Sequence, residues 1–177
     1  MYRKNRITLL MLICIFVTGC RVETESRDFV LKVDFAPTYH DHPSWAAAAA
    51  MVFDYHDRYY TQTDLIDFSR YYFGYTHPSI DDIGWLFWDL IGLDSDVTGS
   101  LTFRDIRSQL NRGNPVLLQY GDYYRGHFLV LHGYDSNGHV YIHEPGYGTR
   151  IIHYDDLYYR TFHGEGHYWE SSLILLD

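Results

Sequence analysis

The feature that most limits the fold is a run of five alanines, Ala46 to Ala50, set between Ser44-Trp45 and Met51-Val52-Phe53. Alanine is the best helix former, so this segment through Tyr55 is predicted as a helix, with Ser44 as its N-cap. Trp45, Met51, Val52 and Phe53 leave it almost no polar face. A helix that is apolar all round must be enclosed by other elements, so the chain has to build a domain around it. At 177 residues it has the length of one domain. Aromatics make up 18% of the sequence, far too many for a disordered acidic chain.

The remaining pattern divides into helices first and strands later. Residues 29–35 alternate loosely and read as a strand closed by Pro37. Helices are predicted over 63–72, 78–91 and 102–110, the last capped by Thr102 and closed by Gly113. From Pro115 onward the segments 116–120, 127–134, 139–143, 149–153 and 169–176 read as strands. Asp135-Ser136-Asn137-Gly138 and Gly146-Tyr147-Gly148 supply the hairpin turns. This order predicts an α+β fold, with the alanine helix packed on a C-terminal antiparallel sheet and no visible linker. The one repeated string is His-Pro-Ser, at 42–44 and again at 77–79.

The N-terminus has a separate logic. Arg3, Lys4 and Arg6 precede an apolar run from Ile7 to Val17, too short to span a bilayer as a mature helix but typical of a secretory signal. The run ends in Val17-Thr18-Gly19-Cys20, which resembles the bacterial lipobox, where cleavage precedes a cysteine that receives the lipids. The expected organisation is a signal peptide over 1–19, lipidated Cys20 with a tether over 20–28, and one domain over 29–177. Acyl chains, palmitate among them, would then hold the protein on a membrane. No Asp follows Cys20, so the expected location is the cell envelope, and the periplasmic side of the outer membrane if the cell is Gram-negative. Residues 1–19 carry three basic and no acidic side chains, so their removal takes the formal charge from −9 to −12. Such a surface repels phosphate backbones and argues against nucleic-acid binding. The only cysteines are Cys14 and Cys20. If the first is cleaved away and the second acylated, the domain has no disulfide, thiolate metal site or cysteine nucleophile.

Within the domain, Ser44-Trp45 opens the alanine helix, and Arg125-Gly126-His127 opens the strand that runs to Gly133-Tyr134-Asp135. The next strand ends in His143-Glu144-Pro145. This order resembles the papain-like cysteine peptidases, in particular the bacterial C39-like branch, over roughly residues 31–145. The branch pattern is a Cys-Trp-Ala-Ala helix start, a Gly-His-Phe hairpin ending in Gly-Tyr-Asp, and an Asp-Pro closing the next strand. The resemblance implies a papain-like fold with a nucleophile at a helix N-terminus, where the dipole favours the anion. It also implies a histidine base on the facing sheet and a carboxylate or amide that orients the imidazole. Carried over residue by residue, these positions are Ser44, His127 and Glu144, and the oxyanion glutamine falls on Thr38. Serine replaces the cysteine, glutamate replaces the aspartate, and no glutamine occurs before Gln62. A serine hydroxyl cannot form the thiolate–imidazolium pair, and losing an oxyanion donor costs about 10²–10³ in rate.

The resemblance therefore implies a degenerate, lipid-anchored member that retains a groove for an extended peptide or protein partner. Two alternatives stand beside it: a serine hydrolase or acyl transferase using Ser44, His127 and Glu144, and a structural envelope lipoprotein with a closed groove. No cofactor is expected. A metal site built from His40 and His42, joined by Asp41 or His56, matches no strong ligand spacing. The pairs Tyr59-Tyr60, Tyr71-Tyr72, Tyr123-Tyr124 and Tyr158-Tyr159 read as edges of the core, some of them able to line a groove.

Overall fold

The computed structural model describes residues 28–39, 43–121, 126–162 and 164–176. It contains β1 (Phe29–Val30), α1 (Ser44–Tyr55), α2 (Gln62–Phe73), α3 (Ile80–Ile91), β2 (Ser95–Thr98), α4 (Phe103–Asn111), β3 (Val116–Tyr120), β4 (His127–Tyr134), β5 (His139–Glu144), β6 (Gly148–His153), β7 (Tyr159–Phe162) and β8 (Glu165–Leu175), with a 3-10 turn at Tyr154–Leu157. The sheet runs β2-β8-β3-β4-β5-β6, with β1 added to β4 and β7 to β8, every pair antiparallel. The fold is α+β, as the pattern of helices then strands predicts.

The alanine helix is the centre of the molecule. Every residue from Trp45 to Phe53 is buried, and α1 packs on β4. Alanine allows that close approach because it fills little volume and loses no side-chain entropy. Strands β3 and β4 are buried along nearly their whole length, which is why they read as continuous apolar runs. The other three helices start with reciprocal capping boxes, Thr61 with Asp64, Ser79 with Asp82 and Thr102 with Asp105. Each box satisfies two otherwise orphaned N–H groups.

Several boundaries differ from the sequence reading. The strand expected over 29–35 is regular only at Phe29–Val30. The reason is room on the sheet: β3 already pairs with β4 up to Leu131, so β1 finds a free edge only at Gly133 and Tyr134. A Cβ at Gly133 would lie 3.0 Å from the Phe29 carbonyl oxygen, so glycine permits this pairing. Beyond a last bond from Leu31 N to the His132 carbonyl, the chain leaves the sheet as an extended strap. Strands β2 and β7 were not expected, because four-residue segments such as Ser95–Thr98 are too short to show a period. The tyrosine pairs are largely on the surface rather than at core edges: Tyr59, Tyr71, Tyr72, Tyr158 and Tyr159 are all exposed. Tyr123-Tyr124 lies outside the described residues. Among the described residues no helix is long and apolar enough to cross a membrane.

Candidate active site and peptide groove

The start of α1 differs from every other helix start in the chain. Its N-cap is Pro43, which has no side-chain acceptor to offer, and the first turn carries no acidic residue. Ser44 is therefore not the cap, as the sequence suggested, but the first residue inside the helix. The repeated His-Pro-Ser string is used in two ways, since Ser79 does cap α3. One residue of phase turns the Ser44 hydroxyl away from its own helix and toward β4, where it accepts the N–H of Phe128 at 3.0 Å. Trp45 fixes this end of the helix by donating its indole N–H to the Thr76 carbonyl at 3.0 Å.

Phe128 follows His127, so the hydroxyl that opens α1 and the imidazole that opens β4 belong to one locality. The His127 ring lies against Phe162, with centroids 4.1 Å apart, and near Tyr147 at 6.2 Å. Its Nε2 is 3.8 Å from Glu144 Oε1, longer than a hydrogen bond. The other Glu144 oxygen accepts from Arg160 Nη2 at 3.0 Å and lies 3.5 Å from Arg150 Nε. Glu144 is 1% exposed, so its carboxyl group is buried at the end of β5. Tyr120, opposite His127 in the β3–β4 register, is also fully buried and donates its hydroxyl to the Leu157 carbonyl. Burial pushes this phenol's pKa strongly up and Glu144 adds to the rise, while Arg160 pulls it down.

Thr38, at the expected oxyanion position, donates its backbone N–H to the Pro145 carbonyl at 3.1 Å. The strap around it is held by a residue that sequence reasoning did not assign. Gln62, buried at the start of α2, donates to the Pro37 carbonyl at 2.7 Å and accepts from Tyr39 N at 3.2 Å. A single amide thus clamps the backbone on both sides of Thr38. Earlier in the strap, His132 Nδ1–H donates to the Leu31 carbonyl at 3.2 Å and His143 Nε2–H to the Val33 carbonyl at 2.8 Å. Their rings stack 4.0 Å apart. Thr149 completes the pair by donating to His143 Nδ1 at 2.9 Å. Burial lowers the pKa of both histidines, that of His132 to about 4 with His143 adding to the effect, so the pair is neutral.

Arg150 could have been found from sequence, because the Gly146-Tyr147-Gly148 turn sets Arg150 beside Ile142, near the end of β5. Arg160 and Gln62 could not, since nothing local marks their distant partners. Cys20, His40 and His42 lie outside the described residues. Among the described residues no three His, Cys, Asp or Glu side chains gather as a metal site. Beside Pro43, a cavity of about 420 Å³ is lined by Ile66, Asp67 and Arg70 of α2 with Thr76 and His77. Pro43, the residue before Ser44, is the part of its lining nearest the start of α1.

The family model described as Peptidase_C39 like family matches residues 39–172. The chain belongs to this family. The match runs past the 31–145 span of the sequence resemblance and takes in β6, β7 and most of β8. Among solved structures, a C39-like peptidase from Bacillus anthracis is 12% identical with a TM-score of 0.62, over 86% of this chain and 99% of that one. A double glycine motif protease from an AMS/PCAT transporter, in complex with its leader peptide, is 15% identical with a TM-score of 0.58, over 83% and 93%. The peptidase domain of Streptococcus ComA, a bi-functional ABC transporter of a quorum-sensing pathway, is 13% identical with a TM-score of 0.55, over 84% and 98%. At these identities the likeness is one of fold. No curated protein matches the chain.

Proposed function

We propose that this C39-like domain binds an extended peptide, or a segment of a protein partner, and has no thiol-peptidase activity. The observation that carries the reading is the state of the Ser44 hydroxyl. It occupies the first position of α1, where the family places its cysteine, and it is held by the Phe128 N–H. A serine there needs a strong base to become a nucleophile. The residue that should orient that base, Glu144, gives one oxygen to Arg160 and holds the other 3.8 Å from His127, beyond hydrogen-bond length. Tyr147 and Phe162 beside His127, and the cavity beside Pro43, offer surfaces against which an extended peptide could lie. The related transporter protease bound to a leader peptide supports a peptide as the ligand.

The same proposal places the domain on a membrane of the cell envelope, the outer membrane in a Gram-negative cell, anchored by lipid on Cys20. The basic n-region, the short apolar run and Val17-Thr18-Gly19-Cys20 support this. Alkyne-palmitate labelling tests it: the label is expected on the wild-type chain and absent from Cys20→Ala, and an unlabelled wild type refutes the anchor. For the groove, a double-glycine leader peptide titrated into the isotope-labelled protein is expected to shift the amide resonances of Ala46, Phe128 and Tyr147. No shift at these amides counts against the groove and for a structural lipoprotein. A fluorophosphonate that labels Ser44 would decide for the serine hydrolase instead.

A further inference from the structure

We infer that the cavity between α3 and β2 is a docking site for a basic side chain, arginine before lysine, presented by a protein partner. The site shares no lining residue with the groove at Ser44 and does not depend on that reading. Helix α3 buries Ile80, Ile83, Gly84, Leu86 and Phe87 against the domain. Its opposite side carries Asp81, Trp85 and Trp88 at helical spacing of four and three, which puts them on one face. Trp88 is 54% exposed and Trp85 37%. Two neighbouring indoles left to solvent are an unusual surface for a domain that buries its other two tryptophans, Trp45 and Trp169.

These indoles line an open cavity of about 230 Å³, with Asp94 before β2 and Ser95 and Asp96 at its start on the other side. One of the two indoles is held by its neighbours. Trp85 packs edge-on against Tyr72 at 4.8 Å and Phe73 at 5.6 Å. Helix and strand are pinned at Gly84, where an added Cβ would meet Ser95 Oγ at 2.6 Å. A preplaced Trp85 loses little ordering entropy on binding.

Charge selects the occupant. The lining contains Asp81, Asp94 and Asp96 and no basic residue. The charge is segregated over a long stretch: between Arg70 and Arg104 there are five aspartates and no lysine or arginine. Among the described residues none of the three lining carboxylates forms an ion pair. An indole face attracts a cation through its quadrupole, and a guanidinium can stack on the ring while its edge pairs with a carboxylate. A phosphate, a nucleic acid or an anionic lipid surface would be repelled by the same groups.

Acetyl-hexa-arginine-amide is the probe, titrated calorimetrically into the full chain in detergent. Binding is expected to weaken about tenfold in Trp88→Ala, the loss of one desolvated cation–π contact. It should weaken by a smaller factor in Asp96→Asn, and hexa-glutamate should not bind. Two-dimensional NMR should show the Trp88 indole N–H moving with the arginine peptide while the Trp45 indole N–H stays. If Trp88→Ala disturbs the fold, Trp88→Phe together with that indole shift serves in its place. No binding up to about 1 mM, or equal affinity for wild type and the Trp88 and Asp96 variants, would overturn the site and leave only diffuse attraction to an acidic surface.

Discussion

His127 and His132 stand on the same strand, and the protein surrounds them with opposite kinds of chemistry. His127, at the open end of β4, faces Glu144 and, through it, Arg160 and Arg150, with Phe162 and Tyr147 against its ring. His132 is enclosed by a second imidazole, a backbone carbonyl and the Tyr141 ring at 6.5 Å. The first surrounding puts charged side chains within reach of an imidazole. The second keeps two rings neutral, so that they serve as donors to the strap. A carbonyl dipole is enough to hold a neutral N–H, whereas a buried carboxylate requires a buried cation. The difference separates a place where chemistry could occur from a place that fastens the chain.

The largest effect expected from breaking this contrast is at Arg160. Its side chain is 10% exposed and its partner Glu144 only 2%. Removing one member of a buried ion pair strands the other, at a cost of about 3–5 kcal/mol. Arg160→Met should therefore lower the thermal midpoint by roughly 10 °C. Arg150→Met, at a side chain 44% exposed, should cost less than about 1 kcal/mol. The double variant Arg160→Met with Glu144→Gln should recover most of the loss, because the stranded anion is gone. Similar midpoints for the two single arginine variants would show that burial does not distinguish this pair.

The next effect sharpens the comparison from the other side. Burial lowers the pKa of His132 to about 4, and that of His143 also falls. As the pH drops below the ordinary value of 6.5, the unfolded chain takes up protons that the folded chain refuses. The stability contributed by the neutral pair is thus full above that value and is lost as the pH falls toward 4. Urea unfolding midpoints across this window should slope downward on the acid side. His132→Gln keeps an N–H for the Leu31 carbonyl but cannot titrate, so it should flatten the slope while costing some stability at neutral pH. An unchanged slope would mean that the pair is not the acid-sensitive element.

Sequence and structure agree where the physics is local and part where it is not. The alanine helix was legible because propensity and all-round apolarity point the same way, and the strands from Val116 onward because the pattern changes at Pro115. The proximity of Ser44 to the His127 strand followed only from the family resemblance, since no local rule brings together residues whose hydrogen bond spans 84 positions. What Ser44 does there was misread for a small reason: a cap and a first helical residue differ by one position, and both tolerate serine after proline. The burial of Glu144 was not legible because Arg160, the cation that offsets it, lies sixteen residues further on. The His132–His143 pair was invisible because its use depends on the strap leaving the sheet at Leu31, a consequence of β3 beginning only at Val116, opposite Leu131.

A smaller loss is expected at Gln62. Gln62→Leu keeps the volume but removes both bonds to the strap. The Pro37 carbonyl and Tyr39 N–H are only partly buried, so water can replace the amide in part, and the cost should be about 1–2 kcal/mol. Hydrogen exchange should speed up at Tyr39 N–H, while Leu31 and Val33, held from the other end by the histidines, keep their protection. Uniform loosening from Leu31 to Tyr39 would show that the strap is one unit rather than two separately fastened halves.

The smallest effect separates the two readings of Ser44. Ser44→Ala removes the acceptor for Phe128 N–H, a bond of 3.0 Å in a half-buried place, and raises helix propensity at the same position. The two changes oppose each other, and a net cost of about 0.5–1 kcal/mol follows. Were Ser44 the N-cap, the same substitution would instead lose capping and expose the first turn, at a cost of up to about 2 kcal/mol. Hydrogen exchange locates the loss. Protection should fall at Phe128 N–H on β4 and hold at Ala46 N–H, which donates to the Pro43 carbonyl at 3.1 Å. Loss at the helix start with Phe128 unaffected would return the hydroxyl to a capping role and remove it from the crevice.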